Sequence, residues 1–348
     1  MKTTFISTFM LADSSRRNIL SQSTLVNKLG VELSSGRKFD IGLDLGARTG
    51  ESVSVRSEFN FLNGIKDTNA LAESRLAVSQ AAMDDMLTDA QAFMATLVAL
   101  KEDPTTADIV KADAEGNMGL LVSRLNSQQN GYFIFGGINS ANTPFADYSD
   151  PASPNKVAAD AAFLAEFGFD QSNPGVPGIT GTAMTTYLSG NFDAMFQTPN
   201  WEATWSTASD TPLSSRISAS ETVATSASAN EPAFRELAKA YTMMSDLGNE
   251  ALSDEAYKVV VDTAIQTLGS AMNNLTSVMG KMGTVQEQVK LAGERLDVQT
   301  NILNTRINDL ELVDKEETSV RLTTALTQLE TTYAVTSRMQ GLSLLNFI

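Results

Sequence analysis

The 348-residue chain contains no cysteine and no histidine. Without cysteine there are no disulfides and no thiol nucleophiles. Without either residue there is no Cys/His zinc site and no Ser-His-Asp arrangement. The lack of histidine also removes the side chain that ordinarily titrates near neutral pH. Acid–base chemistry would fall to Asp and Glu alone. Asp84 and Asp85 are adjacent, and Glu231 and Glu236 flank a helix start, but no pair stands beside a cleft signature. A glycosidase needs two carboxyls converging within about 5–9.5 Å. The expectation is therefore a non-enzymatic chain with no catalytic residue, no metal ligand and no cofactor.

Bases are scarce too, 25 against 41 acids, for a net charge of −16. Such a balance repels phosphates and anionic headgroups, so neither nucleic acid nor a membrane surface is an expected partner. No segment approaches the roughly 20 apolar residues that span a bilayer. The run from Met1 to Asp13 is broken by Ser and Thr and meets an acid early. It makes a poor secretory signal, so any export is expected to proceed without a cleaved leader of the common kind.

Proline is nearly confined to the middle: of nine, all but Pro104 lie between positions 141 and 232. Trp201 and Trp205 lie there too, with only Lys156 and Arg216 as bases against ten acids. The outer zones are rich in Ala, Leu, Met, Gln and Ser, which suits long helices. From Val261 a heptad register steps through Ile265, Leu268, Met272, Leu275, Met279 and Met282, then Val289, Leu296, Leu303 and Leu310. Sustained spacing of this kind specifies a coiled-coil seam. Its alternate positions weaken at Gln286, Gly293 and Thr300 and recover at Ile307. Met83, Leu87, Ala90, Met94 and Leu97 form a second stripe, ended by Asp103-Pro104 because the residue before proline avoids the helical region. Shorter stripes run through Ile19, Val26, Leu29 and Leu33, closed by Ser34-Ser35-Gly36, and through Leu322, Leu326, Leu329 and Tyr333.

The middle loses this period. Gly131 to Gly137, with Tyr132, Phe133, Ile134 and Phe135 between glycines, reads as a strand, and 215–225 as a hairpin turning near Ala219-Ser220. The fold class is thus mainly α: a helical rod or coiled-coil bundle built from both chain ends, with a small mixed or β-rich domain inserted mid-chain. The domains expected are terminal assembly helices at 1–35 and 315–348, a rod at 36–140 with 232–314, and an insert at 141–231. The seams at 83–97 and 261–310 can supply each other. The tips have fewer partners, and we expect them to be mobile in the monomer and to fold on assembly. Gly42, Gly46 and Gly50 lack the Gly-Lys-Ser/Thr of a phosphate loop and read as a surface turn. Asp309, Glu311, Asp314, Glu316 and Glu317 read as a solvated helix face, the sharper alternative being a contact with a neighbouring subunit or export chaperone. Met272, Met279, Met282, Trp201 and Trp205 read as core.

The same residues carry a family resemblance. Leu33-Ser34-Ser35-Gly36-Arg37-Lys38 looks like the turn after the first helix of flagellins. Tyr333-Ala334 and Leu342 to Ile348 resemble the flagellin-type terminus. Asn130-Gly131-Tyr132-Phe133-Ile134-Phe135-Gly136-Gly137, with Asn142-Thr143-Pro144-Phe145, resembles a segment of the hook–filament junction family (hook-associated protein 3), which ordinary flagellins usually lack. Asp44 to Gly50 looks like the variant found in alphaproteobacterial junction proteins. The resemblance implies an extracellular flagellar protein exported unfolded through the flagellar channel. It implies a ring of copies between an adjacent hook-associated protein and flagellin, with terminal helices inward and the middle domain outward. The assembly interface expected on this basis comprises Ile19, Val26, Leu29, Leu322, Leu326, Leu329, Tyr333, Leu342 and Leu345. Flagellin itself is the nearest alternative, and a surface-binding module using the acidic middle domain is the alternative of another class.

Overall fold

A computed structural model describes the backbone of residues 8–101 and 103–345. The chain runs α1 (Thr8–Ser35), α2 (Ile41–Leu45), α3 (Thr49–Leu100) and α4 (Ala107–Leu125), then β1 (Gln128–Gln129) and β2 (Tyr132–Phe133). Helices α5 (Pro154–Phe167), α6 (Gly181–Ser189), α7 (Asn191–Ala194) and α8 (Asn200–Thr204) follow, then β3 (Ser214–Arg216) and β4 (Thr222–Ala224). The chain closes with α9 (Pro232–Asp246), α10 (Asp254–Glu311) and α11 (Lys315–Leu345). The described fold is mostly helical, with a small strand-containing middle. The middle is mixed rather than β-rich: four helices accompany one antiparallel hairpin, β3–β4.

Punctuation in the sequence sets the ends of these helices. Gly36 stops α1 in the left-handed region, φ 70°, where an L-residue would be strained. Asp103 accepts from Thr105 N at 3.1 Å and starts the turn that carries the chain into α4. Asp40 caps α2 by accepting from Leu43 N at 2.9 Å. The glycines at 42, 46 and 50 are exposed, as expected of a surface segment, but they are helical rather than in open loop: Gly42 in α2, Gly46 in a 3-10 turn and Gly50 in the first turn of α3.

Two compact units divide the chain: Gly64–Leu296, and Met1–Asn63 with Asp297–Ile348. The core of Gly64–Leu296 is continuous from Leu76 to Ala292 and includes the middle segment. Within it α3 and α10 are neighbours, with Gln80 Nε2 donating to Met279 O at 2.8 Å. The α10 seam follows Val261, Ala264, Leu268, Ala271, Leu275, Val278 and Met282, all buried, then Val289 and Ala292. The expected alternates Ile265, Met272 and Met279 flank this seam and are only partly buried. Gln286 and Gly293 therefore do not weaken it, because Val285 and Ala292, one residue earlier, carry the packing. On α3 the same shift puts Met86 and Phe93 inside, with Leu87 and Met94 beside them. On α10 the small Ala264, Ala271 and Ala292 let a neighbouring helix approach closely, and Ile265 and Met272 close the flank.

The run 131–137 is not a strand along its length. Tyr132 and Phe133 pair with Gln129 and Gln128 around a two-residue turn in which Asn130 (φ 53°) and Gly131 (φ 81°) are left-handed, and beyond them Gly136 makes a single bridge to Ser228. That is the turn favoured by Asn-Gly between antiparallel strands. Phe135 then turns inward to meet Phe234 edge-on, 5.4 Å between ring centres. A Cβ on Gly137 would stand 2.5 Å from Ser209 O, so the backbones approach too closely there for any other residue. Phe145 packs on Trp201 and Trp205, which are fully buried and stacked 5.6 Å apart. The segment that resembles junction proteins thus works locally as a clasp in the core.

Candidate assembly surface

The terminal unit is built around the antiparallel pair α1 and α11. Among the described side chains of the two helices only Leu29, Glu32, Thr318 and Ala325 are buried. The seam of α11 runs Thr318, Leu322, Ala325, Leu329 and Thr332, steps of four and three, buried or half-buried. Threonine tolerates this because its hydroxyl bonds back to the carbonyl four residues earlier, leaving its methyl for packing. Thr318 Oγ1 donates to Asp314 O at 2.6 Å, and Thr332 Oγ1 to Gln328 O at 2.8 Å. Opposite, Ile19 and Val26 are half-buried and Leu29 is 1% exposed.

The expected interface residues therefore fall into three groups. Ile19, Val26, Leu29, Leu322 and Leu329 line the pair itself. Leu326 and Tyr333 lie outside it, 42% and 53% exposed. Leu342 and Leu345 lie on the described α11 backbone, but their side chains are outside the described residues. Met10, Leu20, Leu25, Val31, Val320 and Val335 join Leu326 and Tyr333 as exposed large apolar residues on the two helices. A pair with one fully buried large apolar side chain and eight exposed ones among its described residues is far from the distribution of a finished surface. Burying Leu29 contributes about 1.5–3 kcal/mol, modest support for helices that are marginal alone.

Where α1, α10 and α11 meet, the unit carries a polar lock. Glu311, at the end of α10, is 1% exposed. Arg56 forks onto both of its carboxylate oxygens, Ser52 Oγ donates to Oε1 at 2.9 Å, and Arg37 Nη1 stands 3.6 Å from Oε2. Backbone ties surround it: Lys38 N donates to Glu311 O at 2.9 Å, and Val313 N to Gly36 O at 3.1 Å. Lys38 Nζ reaches Leu310 O at 2.6 Å. Nearby, buried Glu32 accepts from Phe39 N at 3.1 Å, and Lys28 Nζ bonds Asp44 at 2.7 Å. The Arg56 hydrogen bonds hold the Glu311 carboxyl below its ordinary value despite burial, and Ser52 and Arg37 add to this. The acidic run is thus no uniform solvated face: Asp309, Asp314, Glu316 and Glu317 are exposed, but Glu311 points inward. The available sequence signal was position, since Glu311 follows Ile307 by four on the seam.

Among the described residues no group of three or more acidic side chains could hold a metal ion, and no helix is long and apolar enough to cross a membrane. Carboxylates that looked free in sequence are structurally engaged: Arg124 pairs with Asp89 and reaches Asp85 at 3.8 Å.

Residues 6–140 match the bacterial flagellin N-terminal helical region, and residues 265–348 match the bacterial flagellin C-terminal helical region. Together they cover more than half of the chain. No curated protein matches it. The two matched regions are those that form α1 to α4 and most of α10 with α11, including the unfinished helix pair and its lock. The chain belongs to the flagellin family, whose members are structural rather than enzymatic and assemble into polymers, and is a structural subunit of the extracellular bacterial flagellum.

Proposed function

We propose that this flagellin-family chain is the hook–filament junction subunit rather than the filament subunit. The observation that carries the reading is the segment Asn130–Phe145. Its resemblance to junction proteins rests on Tyr132, Ile134, Phe135, Gly136, Pro144 and Phe145, of which all but the exposed Tyr132 hold demanding, buried places. Ile134, Phe135 and Phe145 are core, and Gly136 pairs with Ser228 by an isolated bridge. In this reading copies form a ring. The terminal segments 1–35 and 315–348 dock on the adjacent hook-associated protein below, and the opposite surface templates flagellin. The segment 141–231 faces outward, and the chain leaves the cell unfolded with an export chaperone, without signal cleavage.

The exposed apolar residues of α1 and α11 are the contacts between copies and layers. Leu326→Ser with Tyr333→Ser is expected to change monomer stability by no more than about 0.5 kcal/mol, because neither side chain lies in the intramolecular seam. The same double variant is expected to lose ring incorporation, measured by sedimentation of hook–junction assemblies. Leu329→Ala, which touches both seam and surface, is expected to weaken assembly more than monomer folding.

A deletion tests the junction assignment. Cells lacking the gene should build complete hooks and shed flagellin monomers into the medium. Purified protein that polymerises alone into long filaments would contradict the assignment and favour flagellin.

A further inference from the structure

Helix α3 carries a cation that nothing in the chain neutralises. Leu71, Arg75 and Val78 follow at steps of four and three, so they share one side of the helix. Leu71 and Val78 are 55% and 37% exposed, outside the seam that buries Ala72, Leu76 and Ser79. Both hairpins reach this stretch without covering it: Gln129 Nε2 donates to Ser74 Oγ at 2.6 Å, and Thr225, next after β4, meets Arg75. Arg75 is half-buried, and its bond to Thr225 Oγ1 is long, 3.4 Å, and goes to a neutral group. That hydroxyl is already engaged with Ser215 Oγ at 3.0 Å. Burial pulls the guanidinium below its ordinary value, with no carboxylate opposing it. Arg56, Arg124, Arg295 and Arg306 each hold an acid, whereas Arg75 holds none among the described residues. In a chain of net charge −16, a half-buried cation without an anion is costly and unexpected.

Helix α10 presents the complement. Leu291, Glu294 and Val298 follow at steps of three and four and are all exposed, apart from the buried Val289, Ala292 and Leu296. Glu294 makes no ion pair among the described residues, and Arg295 beside it is held by Glu221 at 3.5 Å. Laid antiparallel, the two stripes match at every step: Leu71 on Val298, Arg75 on Glu294 and Val78 on Leu291. Within one chain Arg75 and Glu294 do not pair, so the match is available only to a second copy.

We propose that α3 of one copy docks α10 of the next along these stripes, with Arg75 and Glu294 closing an ion pair between two apolar contacts. The proposal rests on the reading that copies of this chain assemble, whether at the junction or along the filament. The pair fixes register, because a slip of one turn sets Arg75 against Val298 or Lys290. Leu326, Glu330 and Tyr333 offer the same spacing in the parallel direction, but they lie on the terminal pair, whose exposed residues serve other contacts.

The chain lacks cysteine, so engineered thiols on it cross-link without background from other positions. Flagella are isolated from cells making two singly substituted chains, Val78→Cys and Leu291→Cys, and treated with a short bismaleimide. A cross-linked dimer is expected when both chains are present and not with either alone. Arg75→Glu and Glu294→Arg should each cut incorporation into flagella about tenfold, and the two reversals together should restore it. Glu294 is exposed, so Glu294→Arg should leave the helix melting of the monomer unchanged, and this arm and the cross-link stand even if Arg75→Glu fails to fold. Absence of the mixed cross-link, or normal incorporation of either single reversal, overturns the proposal. So does a folded double reversal that fails to recover, or recovery of Arg75→Glu by Glu330→Arg instead. Whether the chain sits at the hook end or along the filament decides the junction reading separately.

Discussion

Replacing Glu311 by glutamine should destabilise the terminal unit by about 3 kcal/mol. The carboxylate is buried and pairs with Arg56 and Arg37, so removing its charge leaves two guanidinium groups without their partner. Arg56 is 42% exposed and can draw water, which places the expected cost at the low end for a broken buried pair. The two compact units make a single transition a poor assumption. Both tryptophans lie in Gly64–Leu296, so their fluorescence reports that unit alone. The expected result is a lowered helix-melting transition by circular dichroism with an unchanged fluorescence transition. A joint shift of both would contradict the assignment of Glu311 to the terminal unit.

The same group gives a pH dependence. Its folded-state value lies below the ordinary 4.5, chiefly through Arg56, so its stabilisation is complete above that pH. It fades as pH falls through the lowered folded-state value. Acidification from about pH 5 should therefore erode the first transition of the natural chain, and Glu311→Gln should remove this part of the slope.

Trp201→Ala is expected to produce the largest loss in Gly64–Leu296, about 4 kcal/mol or roughly 10 °C in thermal midpoint. The ring is fully buried, stacked on Trp205 at 8° between planes, and touches Phe145 and Phe196. Its Nε1 donates to Asn230 Oδ1 at 3.0 Å, and Asn230 in turn bonds Ala208 O and Asp210. Truncation opens a cavity and orphans that acceptor. Trp201→Phe fills most of the space without the hydrogen bond and should recover about half of the loss. Differential scanning calorimetry measures both, and a loss under 1 kcal/mol for Trp201→Ala would show that the middle segment packs less tightly than its burial implies.

Periodicity made the long helices legible. The register at 261–310, the stripe at 83–97 and the stops at Gly36 and Asp103-Pro104 all correspond to observed features. The hairpin at 214–224 also lies where its turn residues placed it. What periodicity could not decide was which of two adjacent positions faces inward. Steps of three-four and four-three both fit a stripe containing Val278-Met279 or Ala292-Gly293. The buried members are Val278 and Ala292 on α10 but Met86 and Phe93 on α3, so size alone does not select them; the direction of the facing helix does, and no pattern in one chain encodes it. The aromatic run 131–137 departs from a continuous strand for a related reason. Its composition suits a strand, but Asn130-Gly131 forces a tight turn and Gly137 a close backbone crossing. Glu311 was hidden by its neighbours: a carboxylate in an acidic run reads as solvated, and its partners Ser52 and Arg56 lie about 255 positions away.

Interfaces are where sequence and fold separate most. Leu326 and Tyr333 share a stripe with Leu322 and Leu329, yet only the latter two face α1. A four-residue step on a helix advances the direction by about 40°, enough to move a side chain from the seam to its outer flank. The stripe thus holds two functions, one closing the pair and one left open.

Hydrogen exchange on α1 and α11, in dilute chain and after assembly, tests most directly the claim that this pair is completed by its neighbours. Amides at 20–33 and 320–335 should exchange quickly in the dilute chain, with protection well below that of 261–292. They should slow by about two orders of magnitude or more once assembled. Strong protection of both segments in the dilute chain, unchanged by assembly, would contradict the account.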